Sequence, residues 1–169
     1  EQVQHQSGSK LRAWGREHFV SYVRLREWAD VHGQLRSLAG EIGLPLRDAA
    51  ADPQAVHRAV LAGLLSNVGT RTDSHEYQGG RGRKFYIFPG SALFKKSAKW
   101  VAAAEIVETT RVYARTVCKV EPEWAERLGA HVVKRSYTDP HWTEEAGQVG
   151  AFEKVTLFGL TLVPRRRVH

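Results

Sequence analysis

The sequence is poor in sulphur, with one cysteine, Cys118, and no methionine among its 169 residues. A single thiol excludes an internal disulfide and is typical of proteins that fold in a reducing compartment, so we expect a cytoplasmic location. Because the chain begins at Glu1 and has no methionine, we expect it to be a segment of a longer polypeptide.

Long apolar runs are also missing. None approaches the roughly 20 residues that a membrane-spanning helix needs, and no signal-peptide pattern opens the chain, so we expect no membrane partner. The hydrophobic fraction of 42%, with five Trp, five Tyr and six Phe, is nevertheless sufficient for a packed core. The length allows one mid-sized domain or two small ones.

No catalytic motif is present. The glycine-rich stretch GGRGRK (79–84) ends in Lys84 followed by Phe85, where a phosphate-binding loop requires Ser or Thr. Cys118 has no adjacent histidine, and the eight histidines lack the paired spacing of metal ligands. We therefore expect no catalytic residue, no metal site and no cofactor in this chain.

The positive charge is concentrated in one part of the sequence. The net charge is +7, and residues 51–100 alone contain eight basic and three acidic residues. Such an excess favours an anionic partner, above all nucleic acid, although a plain basic surface is the alternative.

Two apolar stripes with helical spacing occupy the first third of the chain. Gly43 and Pro45 end the first stripe, and Asp52-Pro53 has the pattern of an N-cap followed by the first helical residue. We interpret both stripes as core: Leu25, Trp28, Val31, Leu35, Leu38 and Ile42 in the first, and Val56, Val60, Leu64 and Val68 in the second.

Shorter segments with aromatic and β-branched residues follow, and they indicate strands. They are residues 83–88, 100–108, 111–120, 151–158 and 160–163, with one helix opened by Glu121-Pro122. This order favours an α+β protein, in which a helical segment (1–66) precedes a small OB-fold Greek-key β-barrel with one helix (67–169).

The basic residues of this second part alternate with aromatic ones. Single-stranded nucleic acid is bound by this combination, because cations contact phosphates and aromatic faces stack on bases. The candidate cations are Arg81, Arg83, Lys84, Lys95 and Lys96, whereas Phe85 or Tyr86, and Trp100, are expected in the core.

Several motifs, in this order, resemble the OB-fold on the C-terminal side of DEAH-box RNA helicases. The first are FPGSALFKK (88–96), KWV (99–101) and EIVETTR (105–111). The later motifs are similar to the bacterial HrpA-type members: VEPEW (120–124), HVVKRSYTDPHW (131–142) and EKVTLFGL (153–160). Upstream, YVRLREW (22–28) and QLR (34–36) resemble the helical ratchet-type domain that precedes this OB-fold.

The resemblance implies a parent ATP-dependent RNA helicase, whose motor domains, with ATP and Mg²⁺, lie in the same polypeptide outside this chain. It also implies RNA contacts at Ser91 and at Thr109, Thr110 and Arg111. We therefore expect single-stranded RNA across the barrel mouth, between residues 79–84, 90–96 and 109–111. The alternative is a module that docks a protein or the ribosome without gripping RNA. Arg165, Arg166 and Arg167 are expected to form a solvated tail or a link to further sequence.

Overall fold

The computed structural model describes residues 7–46, 50–96, 98–143 and 147–168, which form two compact units, Glu1–Ala50 and Ala51–His169. The helices are α1 (Gly8–Glu17), α2 (Tyr22–Glu41), α3 (Pro53–Gly63) and α4 (Pro122–Leu128). The strands are β1 (Val68–Arg71), β2 (Tyr77–Gly79), β3 (Lys84–Ile87), β4 (Trp100–Glu108), β5 (Val112–Lys119), β6 (Val133–Thr143), β7 (Gln148–Leu157) and β8 (Leu160–Val168). Parts of the predicted domains, residues 1–6, 47–49, 97, 144–146 and 169, lie outside the described residues.

The first unit consists of α1 and α2. The Ser21 hydroxyl caps α2, and the helix ends before Gly43, whose φ of +72° favours glycine. The predicted helix is therefore confirmed, but its predicted burial is wrong. Trp28 is 61% exposed, and the same face exposes Val31, Leu35, Leu38 and Ile42. Among the described residues of this unit α1 leaves the face uncovered, so helical spacing alone does not make it core.

Helix α3 belongs to the second unit, which therefore begins before the predicted boundary at residue 67. The Asp52 carboxylate caps this helix, as predicted, by accepting the N–H groups of Gln54 and Ala55 at 3.1 and 3.2 Å. Of the predicted stripe, Val68 is buried in the core of this unit, whereas Val56 and Val60 are exposed, and Leu61, which was not predicted, is buried. One side of the stripe packs on the barrel and the other faces solvent.

Five strands close into a barrel in the order β1-β2-β3-β5-β4, with β3 and β5 parallel and the other pairs antiparallel. The barrel interior contains Phe85 and Ile87 from β3 together with Val101, Ala103 and Ala114. Gly69 lies against the Phe85 ring, and a Cβ there would come within 2.5 Å of Phe85 Cζ. This strand order and the single helix after β5 confirm the α+β class and the OB-fold.

The remaining three strands form a separate sheet in the order β6-β7-β8. The segments at 151–158 and 160–163 are strands, as predicted, but they do not enter the barrel. Their places are taken by β1 and β2, which are too short for a clear pattern in the sequence. The second sheet packs Leu157, Leu160 and Leu162 with α3, α4 and the outside of the barrel.

Strand β5 departs from simple alternation at Thr116, which has a φ of +49° and is exposed. Ala114 faces the barrel interior, as the pattern predicts, but the next inward residue is Val117. Cys118 packs against the core outside the barrel, where burial raises the pKa of its thiol.

Among the described residues, no helix combines the length and the apolar character that crossing a membrane requires. Their His, Cys, Asp and Glu side chains form no group of three or more that is arranged to hold a metal ion.

Candidate nucleic-acid interface

The outward side of the parallel pair β3–β5 carries alternating cations and aromatic rings. Along β3, Phe85 and Ile87 point into the barrel, so Lys84 and Tyr86 point outwards, and Phe88 follows. Along β5, Ala114 points inwards, so Tyr113 and Arg115 point outwards, and Arg111 precedes the strand. We call this surface the β3–β5 face, and it comprises Lys84, Tyr86, Phe88, Arg111, Tyr113 and Arg115.

The members of the β3–β5 face contact one another across the two strands. The Arg111 guanidinium lies 5.4 Å from the centre of the Tyr86 ring, and the Arg115 guanidinium lies 4.8 Å from that of Phe88. Phe88 also meets Tyr113 edge to face, with the ring centres 6.0 Å apart. The register that pairs Tyr86 with Tyr113 and Ile87 with Ala114 produces these contacts. Both arginines are exposed, so their guanidiniums are held in place beside the rings and remain open to an anion.

One end of the face includes a carboxylate. Glu76 Oε1 lies 2.9 Å from Lys84 Nζ, and the Tyr86 hydroxyl donates to Glu76 Oε2 at 3.2 Å. The hydrogen bond from Lys84 holds the pKa of Glu76 below its ordinary value, so this carboxylate is ionised at neutral pH. Lys84 is therefore paired with a negative charge, unlike Arg111 and Arg115, for which no described carboxylate lies within 4.0 Å.

Ser91 lies in the turn that follows Phe88. Its N–H donates to the Phe88 carbonyl at 2.9 Å, and its Oγ accepts the N–H of Leu93 at 3.3 Å. The turn and β5 line an open cavity of about 520 Å³, with Phe88, Gly90, Ser91, Arg115 and Thr116 among its walls. The structure thus brings Ser91 to the same cavity as Arg115, a residue 24 positions further along the chain.

Thr109 and Thr110 form the tip between β4 and β5. Both the N–H and the Oγ1 of Thr109 donate to the Arg111 carbonyl at 3.0 Å. These bonds fix the tip so that Arg111 reaches Tyr86, while Thr110 is exposed. Of the three residues, Arg111 is the one whose side chain joins the β3–β5 face.

The basic loop before β3 has its own cavity. Arg81 and Arg83, with Ser66, Asn67, Gly80 and Phe158, line a space of about 210 Å³. Arg81 has a φ of +57°, and its N–H donates to the Phe158 carbonyl at 2.7 Å. Its guanidinium lies 5.5 Å from the centre of the Phe158 ring, so this loop is fastened to the second sheet.

The predicted clusters do not meet at one mouth of the barrel. Residues 79–83 lie before β3, whereas the turn that contains Ser91, Lys95 and Lys96 follows the same strand. They therefore flank opposite ends of β3, and the β3–β5 face connects them. Lys95 and Lys96 are exposed in that turn.

Sequence reasoning missed Arg115 as a site residue. The two-residue periodicity of a strand already placed Arg115 on the same side as Tyr113, opposite to Ala114. What the sequence did not contain was the parallel pairing of β5 with β3, because that pairing joins segments separated by β4.

The predicted solvated tail is wrong for two of its three arginines. The Arg166 guanidinium contacts both carboxylate oxygens of Glu126, at 3.1 and 2.7 Å, and also contacts Glu153. The Arg165 guanidinium lies 3.7 Å from the centre of the Phe152 ring. Strand β8 continues through these residues, with Arg166 opposite Glu153 and Arg167 opposite Phe152 on β7, so the basic run has a fixed place although its side chains remain exposed.

Comparisons with known proteins agree with this fold. The profile of the oligonucleotide/oligosaccharide-binding (OB)-fold family matches residues 56–132. The chain is 44% identical to the ATP-dependent RNA helicase HrpA of Escherichia coli K12 and 43% identical to the HrpA homolog of Haemophilus influenzae. Each alignment covers 100% of this chain and 13% of the relative, so the chain spans about an eighth of their length.

A human protein and a protein of known structure show more distant similarity. The chain is 30% identical over 131 residues to the human protein named probable ATP-dependent RNA helicase DHX35. This alignment covers 76% of the chain and 18% of the relative. The crystal structure of the E. coli DExH-box NTPase HrpB superposes with a TM-score of 0.52 at 17% identity, over 79% of this chain and 16% of that one. At this identity the structural likeness concerns the fold alone.

Proposed function

Since the chain belongs to the HrpA-type family of DEAH-box RNA helicases, of which it covers the OB-fold region, we propose that it binds single-stranded RNA. Motor domains of the same polypeptide, driven by ATP with Mg²⁺, act on the RNA that it holds, in the cytoplasm. The chain thus binds and positions the RNA, and the catalytic chemistry takes place in the motor domains.

One observation carries this proposal, the position of two exposed arginines over aromatic rings across the β3–β5 face, with the Tyr86 ring half-buried and the Phe88 ring exposed. Arg111 over Tyr86 and Arg115 over Phe88 offer two cations to phosphates beside two aromatic surfaces. Phosphate contacts supply affinity without sequence preference, and base stacking adds about 1–3 kcal/mol per base. We expect little sequence specificity, because neither kind of contact reads the edges of the bases.

The turn at Ser91 supports the same ligand. It borders the cavity of about 520 Å³ next to Arg115, at the end of the face. A strand of RNA that leaves the stacked rings meets the Ser91 turn and then the exposed Lys95 and Lys96. At the other end Arg81 and Arg83 continue the positive surface, while Glu76 compensates Lys84.

The test separates charge from stacking. Arg111→Ala with Arg115→Ala should weaken binding of a 20-nucleotide oligo-U and reduce the slope of log K against log[salt] by about 1.4, because each lost phosphate contact removes about 0.7 on a single strand. Phe88→Ala should weaken binding by about 1–3 kcal/mol and leave the slope unchanged.

Arg26→Ala with Arg36→Ala is the matched control, since both arginines are exposed on α2 and the same charge is removed. Equal losses in the control and the face variant would contradict the site. Binding of a protein partner without affinity for any oligonucleotide would instead favour the docking module.

A further inference from the structure

The outward face of the second sheet carries a second group of cations. Directly opposite residues of an antiparallel pair share a face, and Lys134 lies opposite Thr156, Ser136 opposite Lys154, and Phe152 opposite Arg167. Arg165, two residues before Arg167, is on the same side. We call this surface the sheet face, with Lys134, Phe152, Lys154, Arg165 and Arg167.

The sheet face is separate from the core side of the same strands. Glu153 lies opposite Arg166, and these two residues belong to the ion network on the α4 side of the sheet, in which Glu153 is buried and Arg166 remains partly exposed. Lys154 and Arg167, one position further along their strands, are exposed on the other side. The carboxylates that hold the sheet to α4 therefore do not neutralise the charges of Lys154 and Arg167.

Few negative charges compensate this face. Arg165 lies 3.5 Å from Asp139, an exposed residue at the irregularity of β6. Within the described part of the chain, no carboxylate lies within 4.0 Å of Lys134, Lys154 or Arg167. A surface with this balance attracts a polyanion.

The three uncompensated cations follow a diagonal across the sheet. Lys134 is on β6, Lys154 is on β7 one row further, and Arg167 is on β8 a further row along. Diagonal neighbours in a sheet are about 7–8 Å apart at their backbones, and the long side chains of Lys and Arg adjust this distance. A row of cations matches the repeating phosphates of one strand better than it matches an isolated anion.

Arg165 adds a planar surface. Its guanidinium carbon lies 3.7 Å from the centre of the Phe152 ring, close enough for the two planes to stack, and the His141 ring centre lies 5.7 Å from that of Phe152. Phe152 and Asp139 hold the guanidinium, and the Arg165 side chain remains 62% exposed, so that a further ring can reach it. Unstacked bases of single-stranded RNA stack on arginine planes of this kind.

We propose that the sheet face is a second binding surface for single-stranded RNA, with phosphates on Lys134, Lys154 and Arg167 and a base on Arg165. The surface lies beyond residues 56–132, which the OB-fold family profile matches. It rests on the proposed function only for the class of ligand, because none of its residues belongs to the β3–β5 face.

The experiment compares three new variants of the whole 169-residue chain, together with R111A/R115A, for binding to a 20-nucleotide oligo-U over a series of salt concentrations. The sheet-face variant is K134Q/K154Q/R167Q, and the control is R26Q/R36Q/R127Q. Each removes three exposed cations and lowers the net charge from +7 to +4. R165K keeps the positive charge but removes the planar guanidinium group.

The sheet-face variant should lose affinity and about 2 from the slope of log K against log[salt], since three phosphate contacts contribute about 0.7 each. R165K should bind at least about fivefold more weakly with an unchanged slope, and it should bind an abasic oligonucleotide as the parent does. Unchanged melting temperatures exclude a folding effect.

The proposal is overturned if the sheet-face variant binds like the parent, or if the control loses as much affinity as the sheet-face variant does. It is also overturned if R165K weakens binding of the abasic oligonucleotide as much as it weakens binding of oligo-U. A loss confined to R111A/R115A refutes the sheet face and leaves the proposed function standing. A loss confined to the sheet-face variant supports the sheet face and refutes the β3–β5 face as the place where the chain binds RNA.

Discussion

Glu126 and Glu153 join α4 to the second sheet through arginines that approach from β6 and β8. The Arg135 guanidinium lies 2.8 Å from Glu153 and 2.9 Å from Glu126, and Arg166 contacts both carboxylates. The Tyr137 hydroxyl donates a further bond to Glu153 at 3.2 Å. Glu153 is only 4% exposed, and a carboxylate is stable at this depth because every side of it meets a donor.

The pH dependence of this network has a definite sign. Hydrogen bonds from Arg135 to Glu153 and from Arg166 to Glu126 hold the pKa values of both carboxyls below their ordinary range. In the unfolded chain a Glu titrates near 4.3. The network therefore contributes its full stability above about pH 4.3 and loses it as the pH falls through the lower folded-state values.

Glu153→Gln tests this account. At pH 7 the variant should lose about 3 kcal/mol of unfolding free energy, because two arginines lose one of their partners. That figure is at the lower end of the range for broken buried pairs, since Arg166 keeps part of its hydration. Its stability should also fall less steeply between about pH 5 and pH 3, as urea unfolding at several pH values would measure. Parent-like stability with parent-like steepness would contradict the network.

Individual residues were predictable where the cause is local. Asp52 caps α3 because its side chain reaches the next two N–H groups, and the Asp-Pro pattern already contains that information. Arg166 was not predictable, because its partners Glu126 and Glu153 are brought to it by the packing of α4 on the sheet.

At the scale of elements, α2 is the clearest case in which pattern and burial differ. Its apolar stripe has helical spacing, and the helix forms with the predicted end. Among the described residues, however, Trp28 stacks only on His32 of its own helix, with ring centres 5.4 Å apart. Helical spacing reports which residues share a face, and coverage of that face is decided by other elements.

Trp28→Ala should therefore change the unfolding free energy by no more than about 0.5 kcal/mol, as is usual for surface positions. Loss of the exposed ring leaves no cavity, and alanine is a better helix former. Thermal or urea unfolding of the variant checks this directly. A loss of about 3–5 kcal/mol, typical of a buried Trp, would instead place Trp28 in a core.

The strands divide in the same way. Residues 84–87 and 100–108 have clear patterns and are strands, whereas β1 and β2 have four and three residues and were missed. Assignment of strands to the barrel or to the second sheet also failed from sequence, because it depends on pairing between distant segments. The sequence motifs identified the OB-fold correctly even though the strands expected to build it were partly different ones.

At the scale of the whole molecule, the described residues present two basic surfaces on one compact unit. The β3–β5 face combines arginines with aromatic rings, and the sheet face combines a diagonal of cations with the stacked Arg165. Of the cations on the β3–β5 face, only Lys84 belongs to the basic residues 51–100. Arg111 was expected from the family resemblance, and Arg115 was not predicted. The second surface is formed by residues of β6, β7 and β8. Because side chains alternate along these strands, its cations lie on the opposite side of the sheet from Glu153 and α4.

The central claim, that this chain grips single-stranded RNA through its phosphates, is tested most directly by the affinity of the 169-residue chain for oligo-U at increasing salt. We predict a linear decrease of log K with log[salt], with a slope of about −0.7 for each phosphate contacted, and similar values for single strands of other sequences. Absence of binding to any oligonucleotide at low salt, or an affinity that salt does not change, would contradict it.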